Sequence, residues 1–145
     1  MYRILIVACT LILVGCEPMG PMPGGKLAGK VQPVPENWEI VRDIEIIQLE
    51  TRPEDPYSLN LWGVAVDSNF YIASGKGHDS SWVEHLSRNP NVRLRIAENI
   101  YELKAIRVKN KAELEGISKR YTEKYEFDQE DDRPEEAWIY RLDPR

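Results

Sequence analysis

Cysteine and histidine are scarce in this chain, and each scarcity removes a class of chemistry. Both cysteines, Cys9 and Cys16, fall within the first sixteen residues, so the body of the protein carries no thiol. Disulfide scaffolds, cysteine metal sites and thiolate nucleophiles are thereby excluded from it. His78 and His85 are the only histidines. They lack supporting carboxylates at metal-ligand spacing, and no metal site is expected. Cations are missing from one long stretch as well, with none between Arg52 and Lys76. A formal net charge of −5 argues against a basic surface for nucleic acid. The most apolar run, residues 4–14, is too short to span a bilayer comfortably.

That run has the layout of an export signal. Arg3 provides a positive start, residues 4–14 an apolar centre interrupted only by Thr10, and Gly15 a small residue before Cys16. Leu13-Val14-Gly15-Cys16 resembles the bacterial lipobox, in which the cysteine is joined to lipid through a thioether and the chain is cleaved before it. The alternative is a core element that happens to be N-terminal. The abrupt loss of hydrophobicity after Cys16 speaks against it. Residues 1–15 are therefore read as a signal peptide and Cys16 as the lipid-bearing first residue of the mature chain. Loss of Arg3 takes the formal charge from −5 to −6. Acyl chains hold such a chain on a membrane, each buried methylene contributing about 0.8 kcal/mol. The expected location is the cell envelope, facing the periplasm. Glu17 is not the aspartate linked with inner-membrane retention, which favours the outer membrane.

Residues 17–35 read EPMGPMPGGKLAGKVQPVP, dense in proline and glycine and without periodicity. Residues 16–35 are accordingly expected to be a flexible tether, and residues 36–145 one domain with a modest core. Within it, residues 43–50 read as a strand ended by Arg52-Pro53-Glu54-Asp55-Pro56. Residues 58–66 follow, with Leu59, Leu61 and Ala65 on one face and Trp62, Val64 and Val66 on the other. The turn Asp67-Ser68-Asn69 returns the chain as a hairpin over residues 70–74. Ser81 with Glu84 fits a capping box, Trp82 and Leu86 share a helical face, and Asn89-Pro90 stops that helix. Val92, Leu94 and Ile96 alternate with Arg93 and Arg95. After a turn at Glu98-Asn99, the strand 100–108 slips in its alternation, which predicts either a bulge near Ala105 or a two-sided environment. Asn110 with Glu113 starts a second helix whose stripe is Leu114, Ile117, Tyr121 and Tyr125. The acidic run 128–136 reads as a solvated loop, and residues 137–142 as a closing strand. Antiparallel hairpins with packing helices make an α+β chain.

From residue 44 to residue 108 the chain resembles the FMN-binding split β-barrel group, which includes pyridoxamine 5'-phosphate oxidases and deazaflavin-dependent nitroreductases. The carriers are the hairpin LWGVAVDSNFYIASG, the helix Ser81-Trp82-Val83-Glu84-His85-Leu86 and the passage Asn89-Pro90-Asn91-Val92-Arg93-Leu94. The resemblance implies a small antiparallel split barrel, a homodimer, and FMN or a deazaflavin in a groove between subunits. The chain departs from that pattern in its strands, which lack the basic residues that usually grip the phosphate. The candidate replacement is Ser74-Gly75-Lys76-Gly77-His78 with Ser80 and Ser81: glycines admit an anion, Lys76 adds charge, and a helix start offers amides. Asp79 opposes it, and a plain turn before a capped helix is the simpler reading of the loop. Asn60 and Trp62 would line the same groove, Trp62 as a stacking surface or as core.

Two functions remain open on these residues. One is an exported binding module with a ligand or cofactor groove and no catalytic constellation of its own. The other is a flavin- or deazaflavin-dependent oxidoreductase, in which the cofactor carries the chemistry. The lipobox reading is tested by Cys16→Ser: the variant should accumulate as uncleaved precursor and take up no labelled palmitate. Normal maturation with label incorporated would refute it.

Overall fold

The computed structural model describes residues 17–126 and 137–145. Residues 1–15, expected to be a signal peptide, Cys16 and the acidic run 128–136 lie outside the described residues. The strands are β1 (Lys30–Val31), β2 (Ile46–Thr51), β3 (Tyr57–Val66), β4 (Asn69–Ser74), β5 (Asn91–Ile96), β6 (Asn99–Arg107) and β7 (Trp138–Pro144). The helices are α1 (Ser81–Arg88) and α2 (Lys111–Tyr125). Neighbours run β6-β5-β2-β3-β4-β7, and β7 pairs back onto β6, which closes a six-stranded antiparallel barrel. β1 adds to the start of β6 in parallel. The α+β split barrel with two helices is the fold expected from the sequence.

Alternation explains the wall. Val92, Leu94 and Ile96 of β5 are buried inside, with Arg93 and Arg95 between them facing out. β3 follows the same rule: Leu59, Leu61 and Ala65 pack on the interior cluster and Val64 on the outer one. The β3–β4 turn needs a left-handed residue, supplied by Asp67 at φ 53°. The β5–β6 turn sits at Ala97 and Glu98, one residue earlier than expected, because Asn99 already pairs with Ile96. In β6 the pairing with β7 runs unbroken from Leu103 to Arg107, so there is no bulge at Ala105 on that side. The slipped alternation reflects two environments: Leu103 and Ala105 face the interior, and Val108 joins the cluster beneath α2.

The interior is sealed at both ends. Trp82, Val83 and Leu86 of α1 enter it where β3 begins and β4 ends. Trp38 enters beside Phe70, near the β3–β4 turn, with ring centroids 5.2 Å apart. α2 lies on the outside, burying Ile117 and Tyr121 against Val64, Tyr71, Val108 and Ile139. Asn110 caps it by accepting from the Glu113 amide at 3.0 Å. Lys124, near the C-terminal end of α2, donates to the carbonyls of Val41 and Gly63, each at 2.8 Å. Burial there pushes its ammonium pKa below the ordinary lysine value.

Residues 17–35 overturn the expectation of a flexible tether. They form a strap across the outer face of β3, β2, β5 and β6. Gly24 and Ser58 exchange backbone hydrogen bonds at the edge of β3 (2.8 and 2.9 Å). The Leu27 amide donates to the Glu50 carboxylate at 2.6 Å, and Leu27 itself is 1% exposed. Arg93 donates to both Glu50 oxygens and to the Leu27 carbonyl. The strap then pairs as β1 with β6, where a Cβ on Gly29 would meet the Glu98 carbonyl at 2.6 Å. Proline and glycine here serve extended backbone packed flat on a sheet, and Leu27 supplies the apolar anchor that composition alone conceals.

The α1 plug yields a stability test. Leu86 is 5% exposed within the interior cluster, and Leu86→Ala should lower unfolding stability by about 2–5 kcal/mol in chemical denaturation. A loss near zero would show that α1 does not seal the barrel.

Candidate functional site

β3 and β4 pair only over Gly63–Val66 and Asn69–Ile72; beyond that they part, β3 staying with β2 and β4 with β7. A groove of about 460 Å³ occupies the opening. Leu59 and Leu61 of β3 form one side, Ala73 and Ser74 of β4 the other. The loop Gly75-Lys76, with Asp79, Ser80, Ser81 and Trp82 at the start of α1, closes the end. Its walls are apolar, and its rim carries one cation and one carboxylate.

The loop holds its shape through short polar contacts. Ser74 Oγ donates to the Gly77 carbonyl at 3.1 Å and lies 2.5 Å from Ser80 Oγ. Gly77 adopts φ 52°, a left-handed conformation that suits glycine. The expected capping box at Ser81 is not what forms. Ser80 is the N-cap, and its hydroxyl is drawn to Ser74, so α1 starts without a side-chain cap. The Val83 and Glu84 amides return to the Ser80 carbonyl at 3.0 and 3.2 Å, which leaves the Ser81 and Trp82 amides as the uncapped ones at its start. Asp79 pairs with His78 at 3.1 Å, and the His78 ring lies 5.8 Å from Trp138.

The structure thus gathers Ser74, Lys76, Ser80 and Ser81 around one groove, with Gly77 buried behind them as the loop's pivot. His78 is turned towards Trp138. Asn60 and Trp62 belong to a neighbouring hollow of about 440 Å³ lined also by Gly20, Ile46, Leu61 and Ala73, so the two recesses adjoin through Leu61 and Ala73. The Asn60 amide is engaged there, donating to the Gly20 carbonyl at 3.1 Å and accepting from Gln48 at 3.2 Å. Trp62 stacks on Tyr125 of α2 with centroids 4.6 Å apart. Leu59 and Leu61 went unnoticed as groove residues because their parity marks them as core. Only the parting of β3 from β4 exposes them.

Histidine 85 lies on α1 and serves the scaffold. Its Nδ1 is 2.9 Å from Thr51 Oγ1, and its ring meets Tyr57 edge-on at 5.0 Å. Burial, then the charge of Arg52, pull its pKa below the ordinary 6.5. Among the described residues no three His, Asp, Glu or Cys side chains converge on a metal-sized site.

With this geometry in place, comparison with known proteins gives three findings. The sequence profile of a bacterial family described as "Uncharacterized protein conserved in bacteria (DUF2255)" matches residues 39–136. No curated protein matches the sequence. Solved structures share the fold. A conserved hypothetical protein, Rv2991, from Mycobacterium tuberculosis superposes with a TM-score of 0.62 at 17% identity, over 80% of this chain and 86% of that one. A Listeria innocua protein provisionally assigned as a pyridoxamine 5'-phosphate oxidase gives 0.59 at 17% identity, over 73% and 88%. An F420-H2 dependent reductase gives 0.55 at 20%, over 70% and 96%. At these identities the likeness establishes the split barrel.

Because the folded state favours neutral His85, protonation favours unfolding. Its contribution is complete above pH 6.5 and is lost as the pH falls through that value towards the depressed folded pKa. Thermal melting should therefore decline as the pH drops below 6.5, and His85→Gln should flatten that part of the profile. An identical pH profile in the variant would assign the effect elsewhere.

Proposed function

The chain belongs to the bacterial family DUF2255, and we propose that it is an exported, lipid-anchored binding protein whose ligand occupies the split between β3 and β4. One observation carries the reading: Lys76 and the start of α1, which has no side-chain cap, border the same apolar-walled groove. A helix start offers unpaired amides and the positive end of its dipole, and a lysine adds a point charge. The side chains of Leu59, Leu61 and Trp82 suit a flat apolar body. The preferred ligand is thus a planar ring system bearing an anionic group, with the anion at Lys76, Ser80 and Ser81. Ser74, Gly77 and His78 shape the loop that presents them. The side chain of Asp79, in contact with His78, sets a carboxylate beside the anion and opposes it.

The residues fit a phosphate-bearing flavin in kind. A single cation makes the grip weaker than a cluster of arginines would. Asn60, in the adjoining hollow, would meet the ring end of an elongated ligand, and a second copy of the chain would cover the groove's open side. A second reading is favoured by the shared barrel of the F420-H2 dependent reductase: a flavin- or deazaflavin-dependent oxidoreductase. Bound there, such a group would supply hydride chemistry, and this chain would bind it, orient it and exclude water. The binding reading stands first because two of the groove's three serine hydroxyls, Ser74 and Ser80, are bonded to each other. Export by the lipobox route places the domain in the cell envelope, facing the periplasm, on the outer membrane in preference to the inner.

Calorimetry with FMN on the mature domain and on Lys76→Ala tests the site. Removing one charge-assisted contact of about 1.5–3 kcal/mol should weaken binding roughly ten- to a hundred-fold. The remaining affinity should depend less on salt. Equal affinity would remove Lys76 from the site, and absence of binding by either protein would refute a phosphate-bearing flavin as ligand.

A further inference from the structure

The strap begins against the barrel, which has a consequence for any lipid attached at Cys16. Glu17 pairs with Arg95 on the outer face of β5. Asn60 Nδ2 reaches the carbonyls of Pro18 (3.5 Å) and Gly20 (3.1 Å) from β3. Met19 and Met22 exchange backbone hydrogen bonds at 3.1 and 2.9 Å around Gly20-Pro21. This tight turn leaves Met19 68% and Met22 57% exposed. On the same face Ile46 and Trp62 are partners across β2 and β3, with 48% and 43% exposure, Trp62 being stacked on Tyr125. Gly20, Ile46 and Trp62 line one hollow, so turn and strand pair form a continuous surface. Isolated exposed apolar side chains are ordinary, but four large ones gathered on one patch mark a contact.

Cys16 precedes Met19 by three residues, a span of at most about 10 Å of extended chain. We propose that this patch is a membrane-docking face: the turn 19–22, Ile46 and Trp62 rest in the interfacial layer of the bilayer that the acyl groups on Cys16 enter. The inference rests on the lipid-anchored reading. Acyl groups fixed that close to Met19 bring the bilayer against this face, which is why the occupant is lipid and not a protein partner. The contact is apolar in character, as suits a chain of net negative charge. Indole rings favour the headgroup boundary, and flexible thioethers tolerate its irregular packing. The domain therefore lies on the membrane without a spacer. Its ligand groove, which shares Leu61 and Ala73 with the hollow, opens beside the lipid.

The test uses the mature chain purified from bacterial membranes, its mass read first, then reconstituted in vesicles of phosphatidylethanolamine and phosphatidylglycerol. Single cysteines replace Met22, Ile46 or Lys104, the last exposed on β6, two strands from β2 and three from β3 around the barrel. Each is labelled with an environment-sensitive fluorophore and exposed to lipids carrying shallow nitroxides. Labels at Met22→Cys and Ile46→Cys should lose most of their emission, and the label at Lys104→Cys should keep it. Adding Met19→Ser should reduce the quenching at Ile46→Cys while the chain stays vesicle-bound. A lipidated, vesicle-bound chain in which all three labels respond alike overturns the docking face alone. A mass without the diacylglyceryl increment overturns the anchor and the docking face together.

Discussion

Closure of the barrel by β7 is the constraint on which the other features depend. A strand from the far end of the chain pairs with β4 on one side and β6 on the other, which satisfies two edges at once. An open six-stranded sheet would leave rows of unpaired amides and carbonyls, and closure removes them. It also creates a single interior into which Leu49, Phe70, Ile72, Leu94 and Leu103 are fully buried. A closed ring has two open ends, and the chain fills them with Trp38 and with α1. The groove arises in the same way. β4 must turn away from β3 to reach β7, and the two strands therefore separate after four paired positions.

The outer face poses a different problem. Glu50 is 4% exposed, and burying a carboxylate is costly unless its charge and lone pairs are matched. Arg93 supplies the charge and the Leu27 amide a further donor, so the ion pair is complete only with the strap in place. This makes the N-terminal segment part of the wall. It also holds Glu17 at the barrel surface through its pair with Arg95.

Groove and apolar patch lie on the two sides of the same strand. Leu61 and Ala73 border both, since the parting of β3 from β4 opens the wall between interior rim and outer face. Ligand recognition and membrane contact would then be neighbours by construction. The ordering of the Lys76 loop by the Ser74–Ser80 contact is what keeps α1's first turn directed at the groove.

Much of the fold was legible without coordinates. Strict alternation in β5, the Asp67-Ser68-Asn69 turn, Asn110 as a cap and the stripe through Ile117 and Tyr121 are local signals, and local sterics and hydrogen bonding enforce them. The Gly-Lys-Gly loop was visible as a candidate for the same reason. Alternation alone already separated Asn60 and Trp62 from Leu59 and Leu61, yet the four were not recognised as lining two adjoining recesses. The strap, the shift of the cap from Ser81 to Ser80 and the burial of Leu27 depend on partners distant in sequence: β6, Ser74 and Glu50. By itself, then, the sequence determined the elements and their faces, because those rest on residues within a turn or two of one another. Only the tertiary structure decided where the groove opens and how the N-terminal segment lies. Both follow from which strand edges the closed barrel leaves without a neighbour.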